Sequence, residues 1–435
     1  MPCGRESWTL HAAGGAAGLR GPGHSDDMRI LFLSTWFPYP PDQGCKIRAY
    51  HLLRALAENH ETVLVSFQDC PIQPAWLEHL EQCCTRVEIV QRNPFHAGLA
   101  GSVRGWLSLR PSSVVATYSG EMAEKVRTIA SEWRPDRIVA LTYVAAPYAL
   151  LAGNAAGHSA RVIDIDNLMA RMLREACERA AGRAARARRW LAWRKFLRYE
   201  QRLYSRFDLS VTVTEDDRQS LLQLLDGRSG QVGVAANGVD TRHHQPGISQ
   251  PQVNTLVYNG ALGYSANYEA MKYFIHRILP SIVAQIPGAR LCITGKTGGV
   301  DLGGLHPDGH VTFTGYLDDI RPAIASSWVC VVPLLSGGGT RLKILEAMAL
   351  GTTVVSTSKG AEGLEAVNGR HLLIADTPES FAEQTVRLLR DPELRSGLAL
   401  NARRLVEEKY EWSTIRRNFR ELVEQCRPPQ KGSGT

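Results

Sequence analysis

No C-x-x-C pair occurs in this sequence, and its nine cysteines include an adjacent pair, Cys83 and Cys84. An odd count without that spacing signals neither a disulfide framework nor a zinc site, and the expectation is reduced thiols in a cytosolic compartment. Long apolar runs are also missing. The best stretch, 141–157, is broken by Pro147 and Gly153 and falls short of the ~20 apolar residues of a membrane span. No cluster of His, Asp and Glu has metal-ligand spacing, and the His243-His244 pair reads as linker. No G-x-G-x-x-G follows the first strand of either half, which argues against a dinucleotide oxidoreductase. Gly295-Lys296-Thr297 imitates the end of a phosphate loop, but the glycine such a loop requires falls on Arg290. No repeat at solenoid periods is present.

What is there is an ordinary globular composition, 44% apolar and 21% charged, over 435 residues. That length is too great for one core and predicts two domains. A net charge of +7 suits an anionic ligand or an acidic membrane surface and does not by itself imply nucleic acid. Residues 1–27 are rich in Gly and Ala and lack the leucine-rich core of a signal peptide. They are expected to be a disordered leader, with the folded chain beginning at Met28.

From Met28 onward, short buried strands alternate with helix-period segments. Strands are expected at 29–35, 62–67, 87–90, 137–143, 160–166 and 209–215. Helices are expected at 45–59, 74–84, around Trp106, at 121–133, and over a long basic stretch, 169–207. The segment 232–246 lacks a helical period and carries Asn237-Gly238, so it reads as turn and linker. A second series follows, with strands at 255–262, 289–295, 311–317, 328–335 and 371–376 and helices at 267–286, 319–327 and 412–426. Thr377 reads as a helix cap. The pattern predicts a first domain over 28–235, a linker over 236–250 and a second domain over 251–410. A crossing helix over 411–426 and a disordered tail over 427–435 complete it. Each domain is a doubly wound parallel α/β sheet, and ligands on such sheets lie beyond the carboxyl ends of the strands. Two facing sheets place the site in the cleft between them.

The segment 336–357, SGGGTRLKILEAMALGTTVVST, carries the most information. It reads as strand, glycine loop, helix, strand, with the helix starting at Thr340 and Arg341. Helix-end amides and two cations, Arg341 and Lys343, make such a place receptive to phosphate. Cations in a first turn oppose the helix dipole, so the functional reading outweighs a merely solvated turn. Glu346 lies one turn further in, where it accepts hydroxyl hydrogen bonds or, in the blander reading, pairs with Lys343. Diphosphate at one end and sugar hydroxyls at the other describe a nucleotide sugar.

Three landmarks now resemble a known family. They are the segment 28–67, the linker Asn237-Gly238-Val239-Asp240, and LEAMALGTTVVST with the glycine loop before it. The chain resembles retaining GT-B glycosyltransferases of the bacterial exopolysaccharide and lipopolysaccharide group, family 4-like, over about 28–425. The Met28 segment and GALGYSAN (260–267) most resemble a subgroup of exosortase-associated exopolysaccharide clusters. The resemblance implies two Rossmann-like domains facing a cleft, with a C-terminal helix returning toward the first, and metal-independent transfer without a cofactor. The donor is then a nucleoside-diphosphate sugar and the acceptor a saccharide or lipid-linked glycan. Relatives place a sugar-reading Glu where this chain has Gly338, and an Arg and a Lys where it has GALGYSAN. Arg341 and Lys343 are then left to neutralise the diphosphate, with Glu346 on the ribose.

Around this core, Gly338, Gly339 and Thr340 supply backbone to the donor, and Gly315 and Tyr316 offer backbone to its base. Gly44 ends the first strand-to-helix loop, where backbone can approach a phosphate or the acceptor, though an ordinary turn glycine fits nearly as well. Arg48 is a weaker phosphate contact. Gly360, Glu362 and Gly363 line the donor pocket in this reading. Asp166, beside Asp164 and Asn167 at a strand end, is the expected contact to the reacting sugar or acceptor hydroxyl, or else part of a helix cap. The basic stretch 183–206 interleaves Trp190, Trp193, Phe196, Tyr199 and Tyr204 with arginines. It reads either as a face on anionic lipid, at the inner side of the membrane, or as a packed helix with its arginines in water; nucleic acid lacks a supporting motif. Two other functions stay open: a nucleotide-sugar epimerase and a catalytically silent nucleotide-sugar-binding protein.

Overall fold

The computed structural model describes residues 27–95, 108, 110–228, 230–305, 309–338 and 341–427. The expected leader other than Asp27, the expected tail beyond Arg427, the segment around Trp106, and Gly339 and Thr340 lie outside these residues.

The first sheet has seven parallel strands. They are β1 (Arg29–Ser34), β2 (Glu61–Phe67), β3 (Arg86–Val90), β4 (Arg137–Leu141), β5 (Ala160–Ile165), β6 (Leu209–Thr212) and β7 (Gln231–Val234), in the order β3-β2-β1-β4-β5-β6-β7. Ile30, Leu31, Phe32 and Leu33 of β1 are fully buried. A central parallel strand has helices on both faces, which is why it reads as a continuous apolar run. The second sheet has six parallel strands. They are β8 (Gln252–Asn259), β9 (Arg290–Thr294), β10 (Val311–Gly315), β11 (Ser327–Val332), β12 (Thr353–Ser356) and β13 (Leu373–Ile374), in the order β10-β9-β8-β11-β12-β13. The strand order reverses between β1 and β4 in one sheet and between β8 and β11 in the other. Crevices open beyond the carboxyl ends of these pairs.

Four elements depart from the sequence expectation. The stretch 232–246 is not all linker: Val232 to Val234 pair with Ser210 to Thr212 as the last strand of the first sheet. The basic stretch is two helices, Met169–Glu178 and Arg183–Tyr204, because Gly182 turns the chain at φ +86°. The helix expected at 267–286 widens into a π turn at Phe274–Ile278. The next residue but one is Pro280, which has no N–H for an α-helical bond and whose ring crowds the preceding carbonyls. The strand expected at 137–143 stops at Leu141, and Thr142 opens a helix at φ +65°.

The helix Trp412–Gln425 crosses back to the first sheet, where Phe419 and Val423 join the same core as Leu52 and Leu53 of the helix Gly44–Ala57. His51 stacks on Trp412 with ring centroids 4.1 Å apart, and Arg416 pairs with Glu58 at 2.9 Å. Gly238 is needed at this crossing: a Cβ there would lie 2.8 Å from the Tyr410 carbonyl oxygen. Arg48 ties the linker down. It grips Asp164 with two bonds of 2.8 and 2.5 Å and also donates to Asn237 Oδ1 and the Ala236 carbonyl. Arg48 and Asp164 are both buried. The phosphate contact expected of Arg48 is therefore corrected: its guanidinium is spent on the hinge.

Candidate functional site

The helix after β11 runs over Leu342–Ala349, so it starts later than the sequence suggested, and Arg341 is the residue before its first turn. Ile344, Leu345, Ala347, Met348 and Ala349 are buried and seat the helix against the second sheet. That seating aims its N-terminus into the crevice between β8 and β11.

Arg341 is only 8% exposed. One guanidinium nitrogen, Nη1, donates back to the Gly338 carbonyl. Nε and Nη2 are buried and have no hydrogen-bond partner among the described residues. Burial lowers the pKa of this group from its usual value. A buried, half-satisfied guanidinium is costly unless an anion completes it. Among the second domain's own groups, the hydroxyl of Tyr264 lies beside the same glycine, Gly337, that the guanidinium flanks.

Lys343 does not sit in a solvated first turn. Its Nζ donates to Tyr258 Oη at 2.7 Å and Asn267 Oδ1 at 3.1 Å. The ammonium lies 4.0 Å from the centroid of the Tyr258 ring. Gly260 roofs it, since a Cβ there would come within 2.7 Å of Nζ. Burial drives the Lys343 pKa down to about 7, and the nearby Arg341 charge pushes in the same direction. Glu346 accepts from Asn259 Nδ2 at 2.7 Å. Burial raises its pKa, with Asn259 and Lys343 acting in the opposite direction. The simple Lys343–Glu346 pair of the blander reading is not what the side chains make: Glu346 is held from β8, and Lys343 from β8 and from Asn267 on the helix Ser265–Tyr273.

The first domain approaches this loop closely. Gly44 faces Leu342, whose Cδ1 would lie 3.3 Å from a Cβ at Gly44. A Cβ at Gly338 would lie 2.8 Å from Asn167 Oδ1 and 3.5 Å from Met172. The position of Gly338 is thus occupied from across the cleft. Asp166 accepts from Asn167 at 2.9 Å. Burial raises its pKa while Arg48 opposes the rise. Neither Asp166 nor Asn167 caps the following helix. That cap comes from Glu200, whose carboxylate accepts from the amides of Met169 and Ala170 at 2.9 and 3.0 Å. The capping alternative for Asp166 is thereby removed.

Gly315 ends β10 at φ +69°. Tyr316, 51% exposed, stands beyond it, with the Lys296 ammonium 5.0 Å from its ring centroid. Glu362 closes the opposite end of the cleft. It binds Arg171 of the helix Met169–Glu178 and Lys359, each at 2.6 Å, and Lys359 reaches Glu175 at 2.9 Å. The described candidate residues therefore gather around one cleft, with Gly315 and Tyr316 at its edge. Gly339 and Thr340 lie outside the described residues.

Sequence reading missed the residues that hold the two central side chains, Tyr258, Asn259 and Asn267. The Asn259-Gly260 pair at a strand end was the available signal. It also missed the Arg171–Glu362–Lys359–Glu175 network, which joins residues nearly two hundred positions apart. Thr142 gave no sequence signal at all. A β-branched residue at positive φ at the carboxyl end of β4 is a place where strain is stored.

Chemically, the arrangement can take up an anion: Arg341 holds guanidinium donors with no partner among the described residues beside a helix N-terminus, while Lys343 lies buried beneath Gly260 and Glu346 lies a turn deeper. Among the described residues, no group of His, Cys, Asp and Glu is arranged to hold a metal ion.

Two family models match consecutive parts of the chain. The model described as Glycosyltransferase Family 4 matches residues 43–243, and the model described as Glycosyl transferases group 1 matches residues 253–391. The chain is 32% identical over 143 residues to a phosphatidyl-myo-inositol mannosyltransferase of Mycolicibacterium smegmatis, covering 32% of this chain and 37% of that one. It is 26% identical over 164 residues to an uncharacterized 44.6 kDa protein of the Klebsiella pneumoniae cps region, covering 36% and 42%. It is 25% identical over 240 residues to a D-inositol 3-phosphate glycosyltransferase of Nocardiopsis dassonvillei, covering 47% and 53%. The chain thus spans between about a third and just over half of the length of these curated relatives. Among solved structures, Anabaena Alr3699/HepE with UDP and glucose superposes with a TM-score of 0.63 at 17% identity, over 91% of this chain and 98% of that one. Sucrose-phosphate synthase of Thermosynechococcus elongatus gives 0.65 at 16%, over 91% and 98%. At these identities the likeness is one of fold, and the fold is GT-B, two Rossmann-like domains.

Proposed function

We propose that this GT-B chain is a retaining glycosyltransferase that moves a sugar from a nucleoside-diphosphate donor to a saccharide or lipid-linked acceptor. The observation that carries the reading is Arg341, a buried guanidinium whose Nε and Nη2 have no hydrogen-bond partner among the described residues, beside a helix N-terminus. A diphosphate supplies the missing acceptors. As the glycosidic bond breaks, negative charge grows on the leaving diphosphate. Cations fixed there stabilise the transition state more than the bound donor.

In this account Arg341 meets the diphosphate directly. Lys343 meets it by gaining a proton, and Glu346 accepts from the ribose hydroxyls while Asn259 holds it in place. Backbone at Gly338 and Gly44 lines the phosphate path, and Gly315 and Tyr316 border the base. Asp166 faces the reacting sugar. Donor sugar contacts come partly from the first domain, because Asn167 and Met172 stand against Gly338. The matched family models and the mannosyltransferase likeness support glycosyl transfer. The likeness to a cps-region protein supports a role in exopolysaccharide synthesis; in the proposed function that work is done at the cytoplasmic side of the membrane.

The test is a screen of nucleotide sugars for thermal stabilisation, followed by mass analysis with saccharide and lipid-linked acceptors. A glycosylated product whose anomeric configuration matches the donor, formed without added metal, supports the proposal. A converted nucleotide sugar formed without acceptor would instead identify an epimerase. Donor binding with neither hydrolysis nor transfer would identify a silent binder, a reading to which the occupied space at Gly338 lends weight.

A further inference from the structure

The helix Arg183–Tyr204 is divided in character along its length. Its buried residues, Phe196, Glu200, Leu203 and Tyr204, all lie in the second half. The first half buries none. There Trp190 is 50% and Leu191 52% exposed, among the largest apolar exposures in the described chain. At 100° per residue, Arg183, Ala187, Trp190, Leu191, Arg194 and Arg198 fall on one stripe, opposite the face that carries Phe196 and Leu203. Arg188 and Arg186 border it. Between Glu178 and Glu200 the sequence holds seven arginines and one lysine and no carboxylate. The Arg194 guanidinium lies 5.9 Å from the ring centroids of both Trp190 and Trp193.

Solvation alone explains the arginines but not the pair of large apolar side chains among them. A helix presenting Trp and Leu among arginines, with no acidic residue of its own before Glu200, matches a bilayer whose headgroups are anionic and whose interior is apolar. Nucleic acid matches the charge but not the exposed leucine. Among the described residues no helix is long and apolar enough to cross a membrane, so contact would be from the surface.

We infer that the first half of this helix, centred on Trp190 and Leu191, is a docking surface for an anionic phospholipid bilayer. It deepens the membrane-side part of the proposed function. The position is relevant to that reading because the neighbouring helix, Met169–Glu178, is joined to it through Gly182. That helix carries Arg171, Met172 and Glu175 into the cleft. A bilayer held by the basic helix lies one helical hairpin from the site, where a lipid-linked acceptor would be delivered.

The test is sedimentation of the full chain with vesicles of phosphatidylcholine alone or with about 30% phosphatidylglycerol. Each cation near an anionic surface is worth about 1 kcal/mol, or roughly fivefold in partition. Binding is expected only to the anionic vesicles, weakening as salt rises. The Arg188→Ser, Arg194→Ser double variant should lose about 25-fold by that rule, and Trp190→Ala, Leu191→Ala should also bind more weakly. Unchanged melting temperatures would show that the exposed substitutions leave the fold intact. Equal binding to both vesicle types, no binding to either, or loss of vesicle binding to competing single-stranded RNA at matched charge would overturn the inference. A failure here leaves donor binding untouched, so it is distinguishable from failure of the transferase reading.

Discussion

Lys343 offers the sharpest test of the donor site. Its pKa of about 7 in the free protein means that roughly half of the molecules carry a neutral amine at pH 7, and about nine in ten at pH 8. A bound diphosphate favours the ammonium. Binding above pH 7 must therefore draw a proton from solution, and the affinity should fall by nearly tenfold, about 1.4 kcal/mol, for each pH unit above neutrality. Below about pH 6 the dependence should vanish, because the lysine is already charged. The free protein should behave in the opposite sense. Its lysine pKa is depressed from the ordinary 10.5, so the unfolded chain binds more protons between pH 7 and 10.5, and stability should rise across that window. The assay is calorimetry with a nucleotide sugar, run in buffers of different ionisation enthalpy. A sugar ester is preferable to a free nucleoside diphosphate, whose terminal phosphate titrates near pH 6 and would add its own proton. Lys343→Met should lose the linkage. Proton uptake near zero at pH 8, or a Lys343→Met variant with unchanged pH dependence, would refute the reasoning.

Other perturbations separate binding from folding. Arg341→Ala should cut turnover ~10²-fold or more, yet leave the melting temperature of the free protein unchanged or raised, since it removes a buried cation with two nitrogens that have no partner among the described residues; steady-state kinetics and a thermal melt read the two effects. Glu200→Ala should destabilise the chain by about 2–3 kcal/mol in urea unfolding, because it strands two amides at the start of a cleft-lining helix. The pKa of Glu200 is raised by burial from 4.5 to about 7. Its contribution to stability is therefore present at low pH and lost as pH rises through about 7, and Glu200→Gln should remove that slope. Arg48→Ala should cost about 3–5 kcal/mol by leaving Asp164 buried and unpaired.

The fold was legible because it rests on local signals. Buried parallel strands announce themselves as short apolar runs such as RILFLS, and the stop of the motif helix as a glycine, Gly351. Where the reading slipped, one residue overrode a longer pattern. Pro280 widened a continuous helix, Gly182 split the basic stretch, and pairing with β6 drew part of the apparent linker into the sheet. Within the site, the charged residues of the motif were visible from spacing and helix-end chemistry. Their orientation was not. Whether Lys343 faces water or turns beneath Gly260 depends on Tyr258 and Asn267, more than seventy residues earlier. The contents of the space at Gly338 depend on Asn167 of the other domain. Contacts of that range leave no periodicity in a sequence.

The claim underlying all of this is that the buried guanidinium at the start of the motif helix is completed by a nucleotide-sugar diphosphate. Calorimetric titration of the protein and of Arg341→Ala with a panel of nucleotide sugars measures it directly. The account predicts saturable binding of at least one donor by the protein, and binding weakened at least tenfold in the variant, from the loss of a charge-assisted bond worth about 1.5–3 kcal/mol. Equal affinity of the two proteins for the donor that binds, or no binding by any member of the panel, would contradict it.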